Sequence, residues 1–236
     1  MKTKDLDVVY FVKESNNNPE FLYSLRSICM NMPFRRVWVF GGCPLPITPD
    51  VRVRVDQNGI TKWDRVRNMF RMACENKEIT DDFILFNDDF FVMKPTERID
   101  SLYRSSLSEH IDTIETAYWH KVTPYTKKLR ETEQWLKDNG HPTLSYGLHT
   151  PFIFNKEKLL NLINTYPDLR CSRTVYGNFY NIGGTQHEDI KIFSDSPNFD
   201  WSNSRFLSTD DCIVNPNNDI WREMKKRLYK KSVYER

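Results

Sequence analysis

The sequence predicts an α/β fold with a mostly parallel central sheet flanked by helices, and three observations predict it. Apolar, β-branched runs of strand length recur at residues 7–12, 36–40, 51–55 and 83–86. Segments with apolar residues at helical spacing separate these runs. Small polar and acidic residues gather where the runs stop, and open parallel sheets bind ligands beyond those carboxyl ends.

Each element has a local reason. Asp7-Val8-Val9-Tyr10-Phe11-Val12 is a β-branched and aromatic run after its leading Asp, as a buried strand requires. Ser15, Asn16 and Asn17 form a loop, and Asn18 followed by Pro19 starts a helix. The Asn side chain accepts from orphan N–H groups, and proline loses nothing at the first helical position. Phe21, Leu22, Leu25, Ile28 and Cys29 give that helix one apolar face. The strand at 36–40 is stopped by Gly41-Gly42, and 51–55 alternates apolar with Arg, as a half-exposed strand does. Thr61 and Asp64 resemble a capping box ahead of Trp63, Val66, Met69, Phe70 and Ala73. Phe83-Ile84-Leu85-Phe86 is a buried strand that runs into Asn87-Asp88-Asp89 and leaves through Phe90-Phe91-Val92-Met93. Residues 97–140 read as helical and polar, 156–165 as an amphipathic helix, 166–217 as irregular, and 218–231 as a basic helix. The expected organisation is one domain over 1–236, with a nucleotide-binding half (1–96) and an acceptor-side half (97–236).

Composition excludes several classes. At 236 residues the chain suits one domain. Hydrophobic residues at 39% and aromatics at 14% are too many for a disordered chain. Mean hydropathy of −0.64 and the lack of a long apolar run predict no membrane span. The run from Val8 to Val12 is too short for a signal peptide. Cys29, Cys43, Cys74, Cys171 and Cys212 are odd in number with no CxxC pair, which suggests free thiols in a reducing, cytoplasmic setting. The net charge of +2 hides an uneven distribution: residues 222–236 net +5 and the preceding 221 net −3.

The strongest chemical signal is Asn87-Asp88-Asp89 after an apolar strand. Two carboxylates there can share one hard cation, Mg²⁺ or Mn²⁺, which would neutralise a diphosphate leaving group. The same residues also suit a β-turn. His149, between Leu148 and Thr150-Pro151, is well held; it suits a general base for a hydroxyl acceptor or a structural loop histidine. Arg170 and Arg173, then Gly183-Gly184, His187, Glu188 and Asp189, offer a phosphate clamp or a solvated mixed-charge loop, and His187, Glu188 and Asp189 also offer metal ligands, though without helical i, i+3 or i+4 spacing. Asp210 and Asp211 form a second acidic pair that either joins the first or turns the chain. The cations Arg222, Lys225, Lys226, Arg227, Lys230, Lys231 and Arg236 make either a solvated helix face or a polyanion contact.

Together these motifs resemble the Stealth family of sugar-phosphate transferases, which includes bacterial capsular polysaccharide phosphotransferases. Asp7-Val8-Val9-Tyr10 is similar to its opening strand block. Tyr23-Ser24-Leu25-Arg26-Ser27-Ile28 and Asn87-Asp88-Asp89-Phe90-Phe91 resemble the two ends of its second block. His149-Thr150-Pro151 with Lys156 resembles the third, with Arg173 as its basic residue. Leu207 to Asp211 and Ser232-Val233-Tyr234-Glu235 resemble the fourth. The resemblance implies a GT-A-like nucleotide-sugar fold and a divalent cation at Asp88 and Asp89. It also implies His149, Arg173, Asp210 and Asp211 as catalytic residues. Donor and acceptor contacts are expected at Val12, Lys13, Arg26, Arg65 and Asn87.

The resulting expectation is a metal-dependent transferase moving a sugar or sugar-1-phosphate from a nucleotide-sugar donor to a glycan hydroxyl. Trp63, Arg65, Arg67 and Asn68 replace the family's small, polar segment. Those residues and the basic C-terminal helix allow a DNA acceptor, a hydroxymethylated base as in phage DNA glycosyltransferases. The non-enzymatic alternative is a GT-A-like module that binds a glycan or partner.

Overall fold

The computed structural model describes residues 2–57, 61–166, 171–193 and 199–235. The first elements are β1 (Asp7–Val12), α1 (Pro19–Asn31), β2 (Val37–Gly41), β3 (Val51–Val53), α2 (Lys62–Glu75), β4 (Asp82–Phe86) and β5 (Phe90–Val92). There follow β6 (Leu102–Tyr103), α3 (Leu107–Ala117), α4 (Pro124–Asp138), β7 (Phe152–Asn155), α5 (Lys156–Thr165) and α6 (Ser172–Phe179). The last are β8 (Thr185–Gln186), β9 (Lys191–Ile192), β10 (Phe206–Thr209) and α7 (Asp219–Arg227). The fold is mixed α/β with a mostly parallel central sheet, as expected.

The residues form two compact bodies. The first is Met1–Ile99, His149–Glu157 and Ile190–Arg236; the second is Asp100–Leu148 and Lys158–Asp189. Residues 149–157 and 190–235 thus return to the first body after the inserted segments.

In the first body the central sheet has the order β3-β2-β1-β4-β7. The pairs β1–β2, β2–β3 and β1–β4 are parallel, and β7 runs antiparallel to β4. β1 and β2 are buried almost throughout, which is why they read as continuous apolar runs. Val8, Tyr10, Val12, Phe21, Leu25, Ile28, Val37, Val39, Ile84 and Phe86 share one core. Asp7 is fully buried at the start of β1 and is bound by Arg35, Trp38 and Thr80. Gly41 ends β2 at φ +104°, where an added Cβ would lie 2.3 Å from the Val12 carbonyl. Only glycine lets the two strand ends approach so closely.

Helix α1 starts as the sequence predicts, with Asn18 accepting from Phe21 N and Pro19 at the first position. Its other face is polar and buried. Ser24 Oγ donates to Phe90 O at 2.5 Å, Ser27 Oγ accepts from Val92 N at 2.9 Å, and Asn31 Nδ2 donates to Val92 O at 2.7 Å. The i, i+3, i+7 spacing lays these groups in one line, so α1 pairs the edge of β5 as a neighbouring strand would. β5 itself pairs antiparallel with β10, and β9 lies parallel on the other side of β10. Ser24 and Ser27 belong to the Tyr23–Ile28 motif, and its Arg26 reaches the chain end. Arg26 Nε and Nη2 donate to Glu235 at 2.8 and 2.7 Å, and Nη1 donates to Leu228 O at 3.3 Å.

The second body packs α3 against α4 through Leu107, Ile111, Leu129 and Leu136. Both helices open with a reciprocal cap, Ser106 with Glu109 and Thr123 with Thr126. α6 arises in a stretch expected to be irregular. Its Ser, Thr, Val, Tyr and Gly are weak helix formers, and burial of Thr174, Val175, Tyr176 and Asn178 overrides that preference. Among the described residues no helix is long and apolar enough to cross a membrane, and no disulfide occurs.

Candidate active site at the sheet switch point

From β1 the strand order runs one way to β2 and β3, and the other way to β4. The two loops that leave the carboxyl ends of β1 and β4 therefore diverge, and the crevice they bound is the ligand site of open α/β sheets. One hydrogen bond ties these loops together: Asn18 Nδ2 donates to Asp88 Oδ2 at 2.7 Å. Asn18 thus caps α1 with its oxygen and fixes Asp88 with its amide nitrogen.

Carboxylates crowd this crevice. Asp89 Oδ2 accepts from Ser208 Oγ at 2.9 Å and from Lys191 Nζ at 3.2 Å. Glu20, in the first turn of α1, accepts from Thr209 Oγ1 at 2.6 Å. Burial and the charges of Asp89, Asp88 and Asp211 push the Glu20 carboxyl up to about 7, against the opposing Thr209 bond. Burial also raises Asp88, with Asp89 and Asp211 adding to the rise while Asn18 opposes it. Asp210 is held below the usual range by the Cys212 thiol and N–H, helped by Lys191 and His149 nearby. His149 sits edge-on to the Phe90 ring, 6.3 Å between centroids.

The first body therefore brings together Asn87, Asp88, Asp89, His149, Asp210 and Asp211. Glu20, Lys191, Ser208 and Thr209 belong with them and were missed. The Asn-Pro-Glu sequence reads only as a helix start, and no local pattern links it to Thr209, 189 residues away. Other expected residues sit differently. Val12 is buried, and its carbonyl accepts from Gly42 N and Gln57 Nε2, each at 2.9 Å, while Lys13 is exposed. Arg26 is occupied by Glu235 and Leu228. Arg65 Nη1 lies 3.4 Å from the Gln57 carbonyl. Arg173 belongs to the second body, where Nη1 donates to Leu148 O at 2.8 Å.

Asp189 pairs with Arg104 at 2.9 Å, and His187 Nδ1 lies 2.7 Å from Glu188 O, so these residues form no separate cluster. Arg170 and Arg236 lie outside the described residues. On α7, Arg222 pairs with Asp219, and Arg227 and Lys226 reach Glu223 at 2.9 and 3.9 Å. These cations partly neutralise their own helix.

Among the described residues no three His, Cys, Asp or Glu side chains gather as a complete metal site. A divalent cation in a diphosphate site commonly takes one or two carboxylates and completes its shell with phosphate and water. The donor set here fits that pattern. Asp88 and Asp89 each engage Oδ2 and leave Oδ1 without a side-chain partner among the described residues. Besides burial, the neighbouring carboxylates hold the Glu20 and Asp88 carboxyls above their usual range, an effect a cation would relieve.

One prediction follows directly. Folded Glu20 keeps its proton to about pH 7, whereas the ordinary value is 4.5. Between these values the folded state binds more protons, so stability falls as pH rises through that window. Glu20→Gln is expected to remove the fall and to leave the protein about 1–2 kcal/mol more stable than wild type at pH 8, after allowance for solvent screening. Thermal unfolding at pH 5 and pH 8 checks this; an equal shift at both refutes it.

No protein-family model matches the chain, and no curated protein matches it. Among solved structures it is similar to the apo form of the glycosyltransferase GlyE of Streptococcus pneumoniae TIGR4, at 10% identity and a TM-score of 0.41. That likeness covers 95% of this chain but 62% of the other, so the chain spans less than two thirds of the protein it matches.

Proposed function

We propose that the chain is a metal-dependent transferase with a GT-A-like fold. It takes a nucleotide-sugar donor and delivers the sugar, or the sugar-1-phosphate, to a hydroxyl acceptor. The observation that carries this reading is the carboxylate cluster at the switch point, with Asp88 and Asp89 at the end of β4 and Asn18 joining them to the loop after β1. In this reading Asp88 and Asp89 hold Mg²⁺ or Mn²⁺, which when bound neutralises the diphosphate and eases its departure. Lys191 and Ser208 fix the Asp89 carboxylate, as Asn18 fixes Asp88. The base and ribose lie along the loop after Val12. His149 orients the acceptor hydroxyl and accepts its proton, and the ionised Asp210 nearby stabilises the imidazolium that results.

The four-block resemblance to the Stealth transferases favours the sugar-phosphate form. A glycan hydroxyl is preferred over DNA as acceptor, because Arg222, Lys226 and Arg227 of α7 pair with Asp219 and Glu223 of their own helix.

The test is a panel of nucleotide sugars with Mn²⁺, reading the nucleotide released. Diphosphate release marks glycosyl transfer and monophosphate release marks sugar-phosphate transfer. EDTA is expected to stop either. Activity undiminished by EDTA would sink the metal role, and neither turnover nor calorimetric binding of any donor would leave only a binding module.

A further inference from the structure

The most exposed large apolar group of the second body is the turn between α3 and α4. Trp119 is 88% exposed, Val122 63%, Tyr118 60% and Tyr125 40%. No hydrogen bond or ring contact of the Trp119 side chain occurs among the described residues. Its backbone is the opposite of loose. Trp119 and His120 both have φ of 58°, the left-handed region where glycine normally closes a helix. His120 N donates to Glu115 O at 2.6 Å, Trp119 N to Thr116 O at 3.2 Å and Lys121 N to Tyr118 O at 3.2 Å, so the turn is pinned. Two successive bulky residues in that conformation are costly to the fold, and such an outlier points to a use for the side chain it presents.

Charge supplies the second, independent observation. Residues 116–130 contain Lys121, Lys127, Lys128 and Arg130 and no carboxylate. Lys128 pairs with Glu131, and Arg130 with Glu115 at 2.6 Å. Lys121 and Lys127 are exposed and make no ion pair among the described residues. Lys127 also stands in the first turn of α4, which has no acidic residue, at the positive end of the helix dipole where a cation is disfavoured. Trp119 gains no ring contact, and Lys121 and Lys127 no ion pair, within this body among the described residues. Exposed Trp, Tyr and Val ringed by Lys is the chemistry that enters the headgroup layer of a bilayer and meets its phosphates.

We propose that the α3–α4 turn docks the protein on an anionic lipid surface, with Trp119, Tyr118 and Val122 entering the headgroup layer and Lys121 and Lys127 meeting lipid phosphates.

The test is co-sedimentation of the purified full chain with phosphatidylcholine vesicles, with and without phosphatidylglycerol, in the absence of any donor. Its outcome is therefore separate from that of the transferase reading. Binding is expected only with phosphatidylglycerol and is expected to weaken with salt. Trp119→Gly is expected to lower the partition coefficient about tenfold. The same substitution is expected to raise Tm, because glycine takes the left-handed turn without strain. Lys121→Gln and Lys127→Gln are each expected to lower it about fivefold. Donor turnover in solution is expected to be unchanged by all three. No sedimentation with phosphatidylglycerol vesicles, or a partition coefficient indifferent to Trp119→Gly, overturns the proposal; so does equal binding to both vesicle types.

Discussion

Asp89→Asn is expected to reduce turnover of a nucleotide sugar about a thousandfold while the protein stays folded. The substitution changes charge and almost nothing else. An Asn oxygen can still accept from Ser208 Oγ and from Lys191 Nζ, the two groups that hold Oδ2 in the wild type. The β5–β10 pairing beside it is carried by backbone bonds and does not depend on the carboxylate. What is lost is the negative charge beside Lys191, and with it one of the two groups proposed to hold the cation. Initial rates of nucleotide release, measured with circular dichroism on the same preparation, separate loss of chemistry from loss of fold. A variant with native spectra and more than about a tenth of the wild-type rate would remove Asp89 from the mechanism.

Asp7→Ala is expected to destabilise the first body by about 3 kcal/mol, as much as truncating a large core side chain. The Asp7 carboxylate is fully buried. Its Oδ2 accepts from Arg35 Nη1 at 2.8 Å, Trp38 Nε1 at 3.1 Å and Thr80 N at 3.2 Å. Arg36 Nε stands 3.9 Å from Oδ1, which makes no hydrogen bond. One side chain therefore joins the entries of β1, β2 and β4. Removing it strands two neutral donors, each costing about 1–3 kcal/mol. Arg35 is 43% exposed at its side chain, so water screens the ionic part and adds little. Urea unfolding measures the cost, and Asp7→Asn is expected to recover part of it. A change below about 1 kcal/mol would show that the strand entries hold without this group.

Where a segment's structure is decided by its own residues, the sequence was readable. After their leading aspartates β1 and β4 are apolar runs, and Asn18-Pro19 and Thr61-x-x-Asp64 carry their capping chemistry locally. The carboxylates at the end of β4 followed from that reading. Elements decided by distant partners were not readable. β7 is four residues long and gains its identity by pairing antiparallel with β4. β10 is likewise fixed by β5, more than a hundred residues earlier, and α6 by burial against its propensity. The site divides in the same way. Asp88, Asp89, His149 and Asp210 stood out by composition, whereas Glu20 and Lys191 become site residues only through Thr209 and Asp89.

The three-segment build of the first body has a consequence for biosynthesis. Its cluster draws Glu20 and Asp88 from the first segment, His149 from the second, and Lys191 and Ser208 from the third. Arg26 then closes on Glu235 across a separation of 209 residues. A nascent chain emerging from a ribosome can finish α3 and α4 from adjacent residues, but it cannot complete the cluster until Lys191, Ser208 and Thr209 have emerged. Long-range closure of this kind is slow to form. The helix pair of the inserted body is thus positioned to form before the carboxylate cluster, which a chain stopping short of Ser208 could not assemble.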